Sequence, residues 1–236
     1  GNGIVGYNVQ TAVDTKNHLI VAHEVTNVGT DRDQLAPMAE QAREAMGMEH
    51  LTAVADRGYY KSEQLLACEE SGITTILPKP LTSNNPSKGF FARDDFRYVP
   101  ASNEYRCPAG ERLIWRYRRS EGGRILDVYW SSACPRCQMK PQCTSGVQRR
   151  ITRWEHEDVL DAAQRRLDHA PESMRLRRQT VEHPFGTLKA WMGSTHFLTK
   201  TLPRVRTEMS LHVLAYNLKR MLAILGARPL MAALRA

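Results

Sequence analysis

The sequence predicts a mixed α/β fold that is interrupted by a small β-rich insertion. Over residues 1–79, stretches with strand and helix patterns alternate, as expected for an α/β domain. Residues 80–150 instead contain short alternating strands, many arginines and four of the five cysteines. Residues 151–236 return to a helical pattern. We therefore predict one α/β core, encoded in two segments, with the insertion between them.

Four short strands are predicted in residues 1–79. Val5–Asp14 and Leu19–Val25 alternate across a short turn, which indicates an antiparallel hairpin. Leu51–Ala55 and Ile73–Leu77 are short apolar runs, which are typical of strands buried on both faces.

Two helices separate these strands. The first begins with Thr30 or Asp31 as its N-cap and runs to about Met46, and the second spans Lys61–Glu70. Asp31 and Asp33 are interpreted as helix-start residues, since acidic side chains stabilise helix N-termini.

The insertion is predicted to contain two β-hairpins, and three helices follow it. The hairpins span 98–105 and 113–129, and Glu121–Gly123 forms the turn of the second. Trp154–His169 is the first helix, and the second contains Pro184, which predicts a kink. The third spans about residues 205–225, and its leucines recur at a spacing that favours core packing over a zipper with a partner. These leucines are Leu211, Leu214, Leu218 and Leu222.

Composition and charge favour a polyanionic partner and no membrane. The 236 residues carry a net charge of +8 and have a pI near 9.4, a balance that favours nucleic acid. Neither an apolar run of membrane-spanning length nor a signal peptide is visible. Five cysteines without a secretion signal indicate reduced thiols or metal ligands. We therefore expect a cytoplasmic protein.

Two carboxylates are candidates for a metal site. Asp56 follows the strand Leu51–Ala55, at the edge of the sheet where sites form in open α/β folds. Glu182 lies four residues after Arg178, so the two share a helix face, while Lys189 follows further on. Asp56 could equally be a turn residue, and Arg178 and Glu182 an ordinary surface ion pair. Phosphoryl transfer with divalent metals needs two or three converging carboxylates.

These motifs resemble those of the DDE transposases of bacterial insertion sequences. The resemblance is carried by AVADRGYY after a strand, by RxxxExxxxxxK beyond the insertion, and by the opening GYNVQTAVDTKNHLIVAHEV and closing EHPFGTLKAWMG segments. It implies a ribonuclease H-like fold and nicking and 3′-OH strand transfer at the ends of a mobile element, with Mg²⁺ or Mn²⁺. It also implies double-stranded DNA as partner, a homodimer in the DNA complex, and a bacterial protein that is associated with the nucleoid when bound to DNA.

The resemblance also assigns roles to single residues. It implies that Asp56 and Glu182 are catalytic Mg²⁺ ligands and that Arg178 and Lys189 lie near DNA phosphates. Arg175 stands where the family's signature has a tyrosine, which puts any stacking role of that tyrosine in doubt.

The first catalytic Asp of this family lies on the first strand of the sheet. That strand is next to the one that ends in the second catalytic Asp. Only two strands precede the first helix here, so we expect the first strand, with its Asp, upstream of Gly1. Asp14 is the fallback third carboxylate, although a solvated turn residue explains it more simply.

The insertion combines candidate zinc ligands with a basic surface. Cysteines two residues apart can hold a tetrahedral zinc ion, with His156 as an alternative ligand; four partly buried reduced thiols are the other interpretation. The candidate ligands are Cys107, Cys134, Cys137 and Cys143, whereas Cys68 is expected to be buried in a helix. DNA phosphates are expected to contact Arg116, Arg118 and Arg119, unless this hairpin is only a solubilising surface with Trp115 in the core.

The leading interpretation is therefore a DNA transposase core, truncated at its N-terminus and inactive alone. A non-catalytic, zinc-stapled DNA-binding protein is the alternative. A Mg²⁺-dependent phosphatase built on Asp56 is weaker, because no second acidic residue follows it closely.

Overall fold

The computed structural model describes residues 6–81 and 83–235. The chain divides into two compact units. The first unit comprises Gly1–Pro80 and Val159–Ala236, and the second comprises Leu81–Asp158. Among the described residues, we find no helix with the length and apolar character needed to span a membrane.

The first unit contains two separate pairs of strands. Strands β1 (Asn8–Val13) and β2 (Ile20–Thr26) form the predicted antiparallel hairpin, while Val5 lies outside the described residues. Strands β3 (Leu51–Val54) and β4 (Ile73–Ile76) form a parallel pair. Within the described part of the chain, β1 pairs with β2 alone and β3 with β4 alone.

Six helices accompany these strands. They are α1 (Leu35–Met46), α2 (Ser62–Glu70), α3 (Glu157–His169), α4 (Ser173–Gly186), α5 (Leu202–Leu225) and α6 (Ala227–Ala233). Helix α1 packs on β2, where Met38 and Ala42 meet Ala22. On the other side, Val205 and Tyr216 of α5 pack against the hairpin. Burial of these apolar faces positions the hairpin between the two helices.

Two expectations for the first unit are wrong. The N-cap of α1 is Gln34 rather than Thr30 or Asp31, and it makes no side-chain cap bond. Strand β3 is not buried on both faces, because Thr52 is exposed and its neighbours are only half-buried. A parallel strand is normally covered on both faces, so the side chains of β3 are more exposed to solvent than is usual for a parallel strand.

The leucine stripe of α5 does not lie in the core. Leu211 and Leu214 are 60% and 62% exposed, and Leu218 and Leu222 are 41% and 42% exposed. The buried face of α5 carries Val205, Met209, Val213 and Tyr216 instead. Both faces carry apolar residues at helical spacing, but the β1–β2 hairpin covers only the face with Val205 and Tyr216.

Pro184 does not end its helix. Helix α4 continues through Pro184 to Gly186 and is followed by a π-helical turn at Thr187–Trp191. A π turn next to a proline allows the backbone to absorb the missing hydrogen bond without a break. The turn places Leu188 in the core and leaves Lys189 exposed.

The second unit is a five-stranded antiparallel sheet. Its strands are β5 (Arg97–Val99), β6 (Glu104–Arg106), β7 (Arg112–Glu121), β8 (Arg124–Trp130) and β9 (Ile151–Trp154), in that spatial order. The turn between β7 and β8 has Gly122 and Gly123 at φ of 57° and 79°, which only glycine adopts without strain. Trp154 belongs to β9, not to a helix, and α3 begins three residues later. A small aromatic core, with Tyr105 and Tyr129 at its centre, holds the sheet together.

Candidate active site

Asp56 lies where β3 ends. The backbone N–H of Ala55 still donates to Ile76 of β4, at 3.1 Å, so strand pairing holds the backbone up to this point. The chain then makes a single 3₁₀ turn, and the Asp56 carboxylate caps it by accepting from the Gly58 N–H at 2.8 Å. Asp56 is therefore both a turn residue and a half-exposed carboxylate at the carboxyl edge of a parallel pair.

Arg177 of α4 is the partner of Asp56. Its guanidinium donates to the Asp56 Oδ2 atom at 2.5 Å, and the two side chains are 23% and 40% exposed. Arg178, the next residue and the arginine of the family motif, is exposed and makes no hydrogen bond or ion pair within the described residues. Because adjacent helical residues point about 100° apart, only one of the two arginines can face β3.

Asp31 is a second carboxylate at this site. A Cβ atom placed on Gly58 would lie 3.0 Å from Asp56 Oδ1 and 3.4 Å from Asp31 Oδ2. These two oxygens are therefore at most 6.4 Å apart (3.0 plus 3.4 Å). The Asp31 Oδ1 atom accepts from the side-chain amides of Asn8 and Gln10, each at 2.7 Å. Asp31 thus faces the strand hairpin and Asp56, and the interpretation as a helix cap missed it.

Tyr59 connects these groups. Its hydroxyl donates to the side-chain oxygen of Gln10, whose amide nitrogen donates in turn to Asp31. Burial, followed by the negative charges of Asp31 and Asp56, raises the pKa of Tyr59 to about 12. The phenol therefore stays protonated near neutral pH and acts as a hydrogen-bond donor.

Glu182 is not among the hydrogen-bond or ion-pair partners that surround Asp56. It is exposed on α4, and among the described residues it makes no hydrogen bond or ion pair. It lies five residues after Arg177, which corresponds to about 140° around an α-helix. Lys189 is exposed and makes no hydrogen bond or ion pair within the described residues. Arg175 pairs with the exposed Glu172.

A cleft of about 190 Å³ separates the two pairs of strands. One wall is the edge of β1 and the opposite wall is β3, while α1 and α4 line the remaining sides. Arg177 and Tyr59 line this cleft, and so does Asp14. Asp14 also closes the hairpin turn by accepting from the N–H groups of Lys16 and Asn17. Burial would raise the pKa of Asp14, but these hydrogen bonds outweigh it, and the pKa is lowered.

The arginines of the β7–β8 hairpin differ in their partners. Arg118 makes a two-pronged ion pair with Asp127, and Arg119 pairs with Glu121. The Arg118 hydrogen bond lowers the pKa of Asp127, which keeps this pair ionised. Arg116 instead donates to Ser132 and lies 5.1 Å above the ring of Trp130. Trp115 is 47% exposed, so it does not form part of the core.

The cysteines of the second unit converge, whereas Cys68 does not join them. Cys68 is fully buried in α2, and burial raises the pKa of its thiol to about 12. The other four line one small cavity, and all five are free thiols. His156 stacks on Trp154 and does not line that cavity. Within residues 6–81 and 83–235, no three His, Cys, Asp or Glu side chains are arranged as ligands around a single point.

The structure thus has a carboxylate at the end of a parallel strand, held by an arginine from a helix, at the edge where sites form in α/β proteins. The chain belongs to the family described as transposase DDE domain, whose model matches residues 1–218. This membership assigns it a transposase function in DNA transposition and recombination. Comparisons with curated proteins and with solved structures found no match.

Proteins of this family typically use a divalent metal. The donor set at Asp56 fits such an ion in kind, since Asp31 and Asp56 both offer carboxylate oxygens close to Gly58. It does not form a complete site, because Arg177 occupies one oxygen of Asp56 and no three His, Cys, Asp or Glu side chains of the described residues are arranged to hold one ion.

Proposed function

We propose that this chain is the catalytic core of an insertion-sequence transposase, with a ribonuclease H-like fold, that nicks DNA and transfers 3′-OH ends in the presence of Mg²⁺ or Mn²⁺. The observation that carries the proposal is the carboxylate of Asp56, fixed at the end of β3 beside a cleft. Asp56 and Glu182 are the proposed metal ligands, as the family motif implies. Divalent ions at such carboxylates activate the attacking oxygen and stabilise the leaving oxygen.

The cleft supports a proposal about how the site is completed. Within the described residues β1 pairs only with β2 and β3 only with β4, so each has one edge without a partner strand, and residues of both β1 and β3 line the cleft. Unpaired edges are the natural place for another strand to add. We propose that the cleft receives a strand with an acidic residue, and that this strand brings the third carboxylate beside Asp56. Asp14, which lines the same cleft, is the alternative third carboxylate.

In this proposal the chain's own residues hold the site in an unassembled state. Arg177 neutralises Asp56, and Glu182 is in solvent. Filling the cleft would press against α4, which lines it with Arg177, Thr180 and Val181. A rotation of α4 would withdraw Arg177 and turn Glu182 towards Asp56. Asp31 and Tyr59 would remain in place, because both are held by Gln10 of β1.

DNA binding is proposed for residues on both units. Arg178, Lys189 and Arg175 are exposed on or next to α4 and would contact phosphates near the reacting strand. On the second unit, Arg116 has no acidic partner among the described residues, whereas Arg118 and Arg119 are each neutralised in part by a carboxylate. Such contacts position a duplex without reading its sequence.

A plasmid-nicking assay with Mg²⁺ tests the proposal. The chain of residues 1–236 should nick poorly, and a form extended at its N-terminus by a strand that bears an acidic residue should nick efficiently. Asp56→Asn should abolish nicking by the extended form, while Asp33→Asn, at an exposed ion pair with Lys61, should leave it intact. Efficient nicking by residues 1–236 alone would refute the cleft proposal. Nicking that survives Asp56→Asn would refute the assignment of the site.

The alternative, a non-catalytic DNA-binding protein, is favoured by one observation. In the described structure the Asp56 carboxylate is already in an ion pair with Arg177. Salt-dependent DNA binding without nicking, in both forms of the protein, would support this alternative.

A further inference from the structure

Four cysteines of the second unit surround one small cavity. Cys107 follows β6, and Cys134, Cys137 and Cys143 lie in the connection between β8 and β9. The cavity has a volume of about 30 Å³, close to the space that a single water or ion occupies. The fold of the sheet thus brings cysteines more than 25 positions apart in the sequence to the lining of one cavity.

The backbone around these cysteines is built from tight turns. Cys134–Arg136 forms a 3₁₀ turn in which the Cys137 N–H donates to the Cys134 carbonyl at 3.2 Å. Cys107 begins a similar turn, closed by the Gly110 N–H at 2.8 Å, with Gly110 at φ 79°. Turns of this kind direct two sulfurs of a C-x-x-C pair to the same side, as a tetrahedral ion requires.

Arg149 gives a second, independent indication of an anionic group in this place. It lines the same cavity, and its guanidinium lies 5.5 Å from the ring centre of Phe96. Its Nε atom is buried and has no hydrogen-bond partner. A buried guanidinium N–H without an acceptor is unfavourable, so an acceptor is expected nearby. Thiolates bound to a metal would offer negative charge next to it.

We propose that Cys107, Cys134, Cys137 and Cys143 bind one structural zinc ion, and that Arg149 offsets the charge of the site. Four thiolates and Zn²⁺ carry a net charge of −2, and Lys140 also lines the cavity. Within the described residues the sulfurs surround the cavity without closing on one point, so binding draws them inward. Such rearrangement is usual, because metal sites form together with the ion.

The zinc site would stabilise a part of the second unit that has little regular structure. Between β8 and β9 the chain forms only short 3₁₀ turns over 20 residues, from 131 to 150. Cys107 and Cys143 pack against the aromatic core of the sheet, so an ion there ties this connection to the core. Domains of fewer than about 80 residues often need such a staple.

Zinc analysis of the intact chain tests this inference. The chain, purified under reducing conditions from zinc-supplemented culture, should contain about one zinc per molecule. Cys137→Ser and Cys143→Ser should each lose it, while Cys68→Ala, at the buried cysteine of the other unit, should keep it. Less than about 0.2 zinc per wild-type chain, or full zinc in both serine variants, would overturn the proposal.

Two further measurements cover the case in which the serine variants fail to fold. Cobalt(II) added to the wild-type chain should give intense thiolate-to-cobalt absorption, and its absence would also overturn the proposal. Arg149→Met should lower zinc affinity about 10–100-fold, as substitutions beside metal ligands commonly do. Arg150→Met is the matched control, since Arg150 lies over Trp130 and outside the cavity. No DNA or nicking activity enters these assays, so they are independent of the proposed function.

Discussion

The ion pair between Arg177 and Asp56 is predicted to compete with metal binding. In Arg177→Gln the Asp56 carboxylate loses its cationic partner, and a divalent ion no longer has to displace a guanidinium. Asp56 is 40% exposed, so solvent screens the pair, and about 1 kcal/mol is the upper range for such contacts. Since 1.4 kcal/mol corresponds to a factor of ten, Mn²⁺ affinity should rise about fivefold.

Mn²⁺ binding can be measured by electron paramagnetic resonance, which counts the free ion directly. Removing any positive charge near an acidic site raises cation affinity somewhat, so a control variant is needed. Arg175→Gln serves this purpose, because Arg175 pairs with the exposed Glu172 on the same helix. Equal affinities in the two variants, or weaker binding in Arg177→Gln, would refute competition at Asp56. Urea unfolding should confirm that both variants are folded.

Three further predictions concern DNA binding, association and acid stability. Arg116→Gln combined with Arg150→Gln should weaken duplex binding and lower the slope of log affinity against log salt by up to about two. Fluorescence anisotropy from 50 to 200 mM salt measures this slope. Arg118→Gln should change it less, because Arg118 is already paired with Asp127. Leu214→Glu with Leu218→Glu on the exposed face of α5 should abolish any homodimer seen by light scattering; a dimer that persists would place the interface elsewhere. Hydrogen bonding by Arg112, together with the charge of Arg106, lowers the pKa of Glu104 below its ordinary 4.5. The ionised carboxylate therefore stabilises the fold above pH 4.5, and this stabilisation is lost as the pH falls through the lowered pKa. In Glu104→Gln the free energy of unfolding should fall less steeply with decreasing pH, and an unchanged pH dependence would contradict the prediction.

Much of the first unit could be predicted from residue patterns. The hairpin β1–β2 follows from alternation across a short turn, and the position of Asp56 follows from the apolar run before it. These features depend on neighbours in the sequence, which is why they can be read without a structure.

The remaining features depend on which surface another element covers. Helix α5 has two apolar stripes with the same helical spacing, and only packing on the hairpin decides that Val205 and Tyr216 are buried and the leucines are not. Arg177 and Arg178 are adjacent, and the direction of α4 decides which one meets Asp56. Asp31 precedes a helix in the sequence, so the local pattern indicates a helix-start residue. Its contacts with Asn8 and Gln10 join residues more than 20 positions apart, which a local pattern does not show.

The β-rich unit shows the same limit at its boundary. The residues Ile151–Trp154 lead directly towards an amphipathic helix, and nothing local marks them as a strand. They form β9 because they pair with the edge of β8, where Ile151 lies opposite Tyr129. A strand of four residues has too few positions for its alternation to be distinguished from the start of a helix.

The most direct test of the central proposal is to find where a divalent ion binds in this chain. Iron(II) in place of Mg²⁺, with hydrogen peroxide and ascorbate, generates hydroxyl radicals that cleave the backbone near the ion, and mass spectrometry locates the cuts. Cuts are expected near Asp31 and Asp56, and excess Mg²⁺ should suppress them and Asp56→Asn remove them. Cleavage that avoids the end of β3, or that persists unchanged in Asp56→Asn, would contradict the central proposal.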